Sequence, residues 1–221
     1  MFSFSRGGYL GFIVGMVTIG LFRSRWLLAA AAVIVLSWQM WLPTSVQERI
    51  LMTTRDAEEG QQFDASAQER IVLWEDAMGL FKQNPVTGTG FQTYGYMGRV
   101  SGFRDTHNYY IKVLAETGVV GLLLYLVLLW KLFRAGTGLF FGTDDPFWRA
   151  ISLGFLGVLV SLIVMNFFGD RWTYQQVDGY FWLLLACVIR GTLAVQENPE
   201  KVATEAVQPA SIAGEETLAA V

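Results

Sequence analysis

The run VLAETGVVGLLLYLVLLWKLF, residues 113–133, decides the fold. Only Glu116 and Lys131 interrupt its apolar character, and its length matches the ~20 residues that an α-helix needs to cross the hydrocarbon core of a bilayer. Two more apolar runs follow it: 151–168, after a Gly-rich turn with Asp144-Asp145-Pro146, and 179–195, after the short link 169–176. Upstream, the runs 7–22 and 26–42 are joined by Arg23-Ser24-Arg25, a turn too tight for anything but an antiparallel hairpin, and Pro43 ends the second. The expected fold class is therefore all-α: a polytopic integral membrane protein with about five transmembrane helices and one long, helical extracytoplasmic loop. Its parts are a transmembrane hairpin at 1–42, the loop at 43–112, three transmembrane helices at 113–195, and a tail at 196–221 rich in Glu, Ala, Gln and Pro that is expected to be disordered.

Composition agrees with that outline. Hydrophobic residues make up 53% of the chain and charged residues 16%, with a mean hydropathy of +0.39, well above an ordinary soluble domain. The net charge of -3 and the lack of a polybasic run exclude nucleic acid as a partner and leave the lipid bilayer as the surroundings. A single cysteine, Cys187, excludes an intrachain disulfide and a Cys-based zinc site. No small-residue cleavage site follows Arg6 and the first apolar run, so that run is expected to remain as a helix.

Lys and Arg near span ends stay cytoplasmic, whereas long loops are largely exempt. Arg23, Arg25, Lys131, Arg134, Arg149 and Arg190 gather on one side, and Arg6 and Arg171 occupy the short segments of the other. The long loop is therefore expected outside, where an enzyme has no ATP or nucleotide-sugar and needs a donor that carries its own activation, such as a lipid diphosphate.

Within the loop, residues 67–83 read as an amphipathic helix: Ile71, Trp74, Ala77, Met78 and Phe81 recur at helical spacing, opposite Glu69, Glu75, Asp76, Lys82 and Gln83. Ser66 is expected as its N-cap, with Glu69 three residues on completing a capping box. Arg70 falls on the apolar face, where a guanidinium needs an anion, either a neighbouring carboxylate or a ligand. Asn84-Pro85-Val86-Thr87-Gly88-Thr89-Gly90 reads as a structural turn, because it lacks the Gly-Lys-Ser/Thr ending of a phosphate loop. The only histidine, His107, stands where the polar loop meets the 113–133 run, in a helix expected to continue unbroken into that span. An imidazole, whose unperturbed pKa is ~6.5, suits proton transfer near neutral pH, and the position equally suits a helix cap or an interfacial residue. Glu116, costly in lipid, should face protein or water; it can orient His107, pair with an arginine or accept a structural hydrogen bond.

The order Ser5-Arg6-Gly7, Arg70-x-x-x-Trp74, Asn84-Pro85-x-x-Gly88-x-Gly90, Thr106-His107-Asn108-x-Tyr110 and Glu116-x-Gly118-x-x-Gly121 resembles the O-antigen ligase and O-antigen polymerase superfamily. The likeness runs from about residue 5 to 135 and rests on order, spacing and placement on one external loop. It implies a multi-pass enzyme of the bacterial inner membrane with its active site on the periplasmic side. Such an enzyme moves a glycan, with inversion and without metal or cofactor, from undecaprenyl diphosphate to a hydroxyl of a glycan, lipid A-core or protein acceptor. It also implies His107 as the catalytic base and Arg6 and Arg70 as binders of the diphosphate. Three further substrate-binding candidates have bland alternatives: Arg104 (solvation), Arg171 (local pairing with Asp170) and Glu116 (a structural acceptor). Members usually carry about twice as many spans, so the likeness corresponds to a C-terminal half. The competing function class is a non-catalytic membrane scaffold or half of a split or truncated membrane protein; charges clustered at span ends disfavour a transporter.

Overall fold

The structure is a computed structural model, and it describes residues 6–37, 40, 44, 47, 65–97 and 105–197. Every element among them is helical: α1 (Arg6–Arg23), α2 (Arg25–Leu36), α3 (Ala65–Gln83), α4 (Tyr94–Met97), α5 (Tyr109–Gly142), α6 (Pro146–Met165) and α7 (Gln175–Glu197). The expected tail at 196–221 lies almost wholly outside the described residues, as do most of 43–64 and all of 98–104. Among the described residues, α5, α6 and α7 are long and apolar enough to cross a membrane; α1 and α2 contribute the shorter apolar stretches Gly8–Arg23 and Trp26–Leu36.

α6 is the central helix, packed against α1, α5 and α7. Its Phe155, Leu156 and Leu159 are fully buried, and Phe181 and Val188 of α7 and Leu129, Leu132 and Leu139 of α5 complete the core. α1 runs antiparallel to α6 and comes close because the facing residues are small. The Ser161 hydroxyl donates to the Gly11 carbonyl at 2.7 Å, and a β-carbon at Gly11 would overlap the Met165 sulfur. Such small-residue contacts let backbones meet where apolar surface alone gives little driving force between helices in lipid. The α1–α2 hairpin turns on Ser24, which is extended (φ -166°, ψ 134°) and whose hydroxyl caps α2 by accepting the Trp26 N–H.

Several boundaries differ from the sequence expectation. The glycines after residue 133 do not make a turn: α5 continues to Gly142, and Gly136 is buried where Phe155 and Leu156 press against its helix. The Ser152 hydroxyl donates to the Gly136 carbonyl at 2.6 Å, holding α5 on α6. The turn is confined to 143–145, because Asp145 caps α6 through the Phe147 N–H at 2.7 Å and Pro146 occupies its first turn. α3 begins at Ala65, and its buried stripe is Leu73, Ala77 and Leu80 instead of the Ile71-Trp74-Phe81 face; Ile71 is exposed. The stripe faces Tyr94 of α4 and Ala115 of α5, so the neighbours set which side is buried. Half-buried Arg70 sits one turn before Leu73 on that stripe.

Candidate functional site

α5 is broken at Gly118, whose φ of 66° and ψ of -168° are not helical. A break in a spanning helix exposes backbone groups that lipid cannot satisfy, and it is tolerated where protein or water satisfies them. Here the 84–90 turn does so. Thr89 N–H donates to the Ala115 carbonyl (3.1 Å) and Gly90 N–H to the Glu116 carbonyl (2.8 Å), while Val119 N–H donates to the Pro85 carbonyl (2.9 Å) and Val120 N–H to the Val86 carbonyl (3.4 Å). The turn thus occupies the gap between the two halves of the helix. Gly88, also left-handed at φ 67°, lies against the Glu116 backbone, and Gly118 lies against the Val86 carbonyl; a β-carbon at either would overlap main chain.

The outer half of α5 starts from three consecutive side-chain turns. Asp105 accepts the His107 N–H (3.1 Å), Thr106 accepts the Asn108 N–H (3.3 Å), and Asn108 caps the helix by accepting from Tyr110 (3.0 Å) and Ile111 (3.2 Å). His107 is left-handed (φ 53°) between them, a conformation uncommon outside glycine and kept only where the surroundings over-determine it. Its Nδ1 lies 3.7 Å from the Asp105 carboxylate, and both side chains are partly exposed. The turn is anchored on two sides: Trp74 of α3 donates its indole N–H to the Thr106 carbonyl (2.9 Å), and Tyr109 N–H donates to the Asn166 carbonyl at the end of α6 (2.8 Å).

Beside this turn is a cleft of about 310 Å³. Its floor is α5, from Tyr109 and Lys112 down to Leu124 and Leu128; one wall is Phe91–Gln92 and the other Trp172–Thr173. Buried charged groups on the floor tie down both walls. The Glu116 carboxylate accepts the Gln92 N–H (2.9 Å) and the Tyr94 N–H (3.0 Å). Lys112 donates to Asp170 at 2.6 Å, with both groups buried, and Asp170 accepts the Thr173 N–H at 3.2 Å. The Trp172 indole N–H donates to the Tyr125 hydroxyl (2.7 Å).

Among the described candidates, Glu116 lines the cleft, while Arg70, Arg171 and Arg6 sit on elements that meet the His107 turn or the end of α6 beside it. Arg70 lies one turn before Trp74, which holds the His107 turn. Arg171 donates its N–H to Asn166 Oδ1 (3.0 Å), the residue whose carbonyl receives Tyr109. Asp170 is the partner of Lys112, 58 residues away, so the expected local pair with Arg171 is replaced. The Arg171 guanidinium lies 5.7 Å from the Tyr174 ring centroid, and its buried Nε has no hydrogen-bond partner among the described residues. Arg6 opens α1 at the same end of α6, since Gly11 meets Met165, and its side chain is outside the described set. Arg104 also lies outside the described residues.

Sequence reading missed Asp105, Lys112 and the long-range role of Asp170. The Asp105-Thr106-His107-Asn108 pattern is itself a turn signal that would have brought in Asp105. Lys112, just before the apolar run, carries no local sign of a distant partner.

A family model described as O-antigen ligase matches residues 1–126. No curated protein matches the chain. The matched region ends inside α5, and it includes α3, the 84–90 turn, the His107 turn and the helix break.

Proposed function

The chain belongs to the O-antigen ligase family, and from that membership we propose inverting, metal-independent transfer of a glycan from an undecaprenyl-diphosphate carrier to an acceptor hydroxyl, at a periplasmic site of the bacterial inner membrane. The family supports a glycosyl-transfer role of ligase or polymerase type. In this reading α1 and α2 complete five spans with α5, α6 and α7. The hairpin 1–42, the external loop 43–112, the span region 113–195 and a cytoplasmic tail keep the boundaries that the sequence suggests.

The observation that carries the reading is the His107 turn. The Asp105 carboxylate lies 3.7 Å from Nδ1, where it stabilises the charge that the imidazole gains on taking up a proton. His107 Nε2 removes the proton from the incoming acceptor hydroxyl. The acceptor oxygen forms a bond to the anomeric carbon from the face opposite the diphosphate, and the bond from that carbon to the diphosphate oxygen breaks. The leaving group takes the electron pair and departs as undecaprenyl diphosphate. Arginine guanidinium groups, always charged and planar, suit its oxygens. Arg70 and Arg6 serve here, with Arg171, whose buried Nε has no hydrogen-bond partner among the described residues, and Arg104. The cleft between Phe91–Gln92 and Trp172–Thr173 receives part of the lipid-linked substrate. No cofactor takes part, and the acceptor is a glycan, lipid A-core or protein.

Replacing His107 with Ala in the full chain, reconstituted with a lipid-diphosphate-linked glycan and an acceptor, is expected to lower kcat by ~10²- to 10⁴-fold with membrane insertion intact. Undiminished transfer would remove His107 as the base.

A further inference from the structure

Glu116 is 2% exposed, and each carboxylate oxygen already accepts a main-chain N–H: Oε2 from Gln92 and Oε1 from Tyr94. Tyr94 opens α4 and is buried, with its hydroxyl donating to the Leu73 carbonyl at 3.3 Å, whereas Gln92 lies in the turn before that helix. Gln92 is left-handed (φ 59°), a conformation that surroundings must impose on a side chain other than glycine. Phe91 is 72% exposed, so apolar packing does little to hold it. Thr93 closes the segment on itself, its N–H and hydroxyl both donating to the Gly90 carbonyl (3.2 and 2.6 Å); what joins the Phe91–Gln92 wall to the cleft floor is the Glu116 carboxylate and the Gly90 N–H to the Glu116 carbonyl, 2.8 Å. The His107 end of the same half-helix has other anchors: the Asn108 cap, Trp74 and the Asn166 carbonyl. Loss of the carboxylate should release the wall and leave the His107 turn in place.

We infer that Glu116 is a positioning residue of the cleft: it sets the affinity for the substrate by holding the Phe91–Gln92 wall, and its carboxylate does not itself bind the substrate. The inference rests on the reading of the cleft as part of a transfer site, and it places the effect of Glu116 on binding instead of on the proton transfer at His107.

The test uses the full chain in nanodiscs, an undecaprenyl-diphosphate-linked glycan as donor, and two readouts, steady-state transfer and amide hydrogen exchange. Glu116→Ala should raise KM for the donor about tenfold with kcat within about twofold of wild type, the signature of lost uniform binding. Glu116→Gln keeps one acceptor oxygen and should fall between the two, and it carries the test if the Ala variant does not fold. Phe91→Ala should raise KM to a similar degree, and the double variant with Glu116→Gln should be no worse than the poorer single, because both act through one wall. Exchange at the Gln92 and Tyr94 amides should quicken in Glu116→Gln, with residues 109–115 unchanged. Unaltered KM in the Glu116 variants, a fall in kcat alone, or additive effects in the double variant would overturn the inference. Unchanged exchange at 92 and 94 would overturn the clamp by itself. A wild-type chain that transfers from no donor would instead overturn the transferase reading, and the affinity role with it.

Discussion

Residues 109–117 and 119–142 share one helix, α5, but different forces hold them. The outer half has buried Lys112 and Glu116 on it, meets the 84–90 turn through main-chain hydrogen bonds, and begins from a chain of side-chain caps. The inner half contributes Leu129, Leu132 and Leu139 to an apolar core shared with α6 and α7. Around the break, directed polar contacts set position; in the bundle, helices are fixed by close packing and a few hydrogen bonds from small residues. Among the described residues, polar groups from the 84–94 segment, the end of α6 and the 169–173 link meet α5 around the break, and that convergence gives the region a defined geometry.

Four single substitutions and one double variant test that contrast. The largest effect is expected from Asp170→Ala, which leaves Lys112 buried without its partner and should cost about 3–5 kcal/mol; thermal unfolding in detergent would show it. A Lys112→Met, Asp170→Leu pair should recover much of the loss, and no recovery would mean that the ion pair does more than fill space. Gly118→Ala comes next, at about 2–4 kcal/mol, because the new β-carbon meets the Val86 carbonyl in a left-handed backbone. Limited proteolysis should then cut near residues 84–90 while the core of α6 and α7 stays protected. Asn108→Ala should cost about 1 kcal/mol through loss of a cap, with faster exchange at the Tyr110 and Ile111 amides. Smallest is Ser161→Ala in the bundle, about 0.6 kcal/mol for one interhelical hydrogen bond. A larger effect at Ser161 than at Asn108 would show that the two regions are not held as differently as the contacts suggest.

Legibility in the sequence follows the same division. The hairpin turn at Ser24, the amphipathic α3 and the Asp145–Pro146 start of α6 could be read or partly read, because each depends on residues a few positions apart. His107 and Arg70 stood out by residue type and placement. Gly118 was visible as a glycine in a family-like motif, yet the run around it read as an unbroken helix. Its break depends on Pro85, Val86, Thr89 and Gly90, roughly thirty residues earlier, which replace the missing helical hydrogen bonds. The glycines at 136, 138 and 142 failed as turn signals for a related reason: α6 packs on one of them, and nothing lies within 4 Å of where a side chain would be on the other two.

Residue order alone was enough to read a helical membrane protein, the places of its long apolar helices, and a histidine at the polar end of the third run. Hydropathy and local capping carry that information along the chain. Three features needed the folded chain: the interruption of α5, the pairing of Asp170 with Lys112 instead of Arg171, and the acceptance by the Glu116 carboxylate of the Gln92 and Tyr94 N–H groups. Each of those is a pairing between groups far apart in sequence, and the cost of leaving a buried charge or backbone group unpaired selects the partner only once the chain has brought the candidates together.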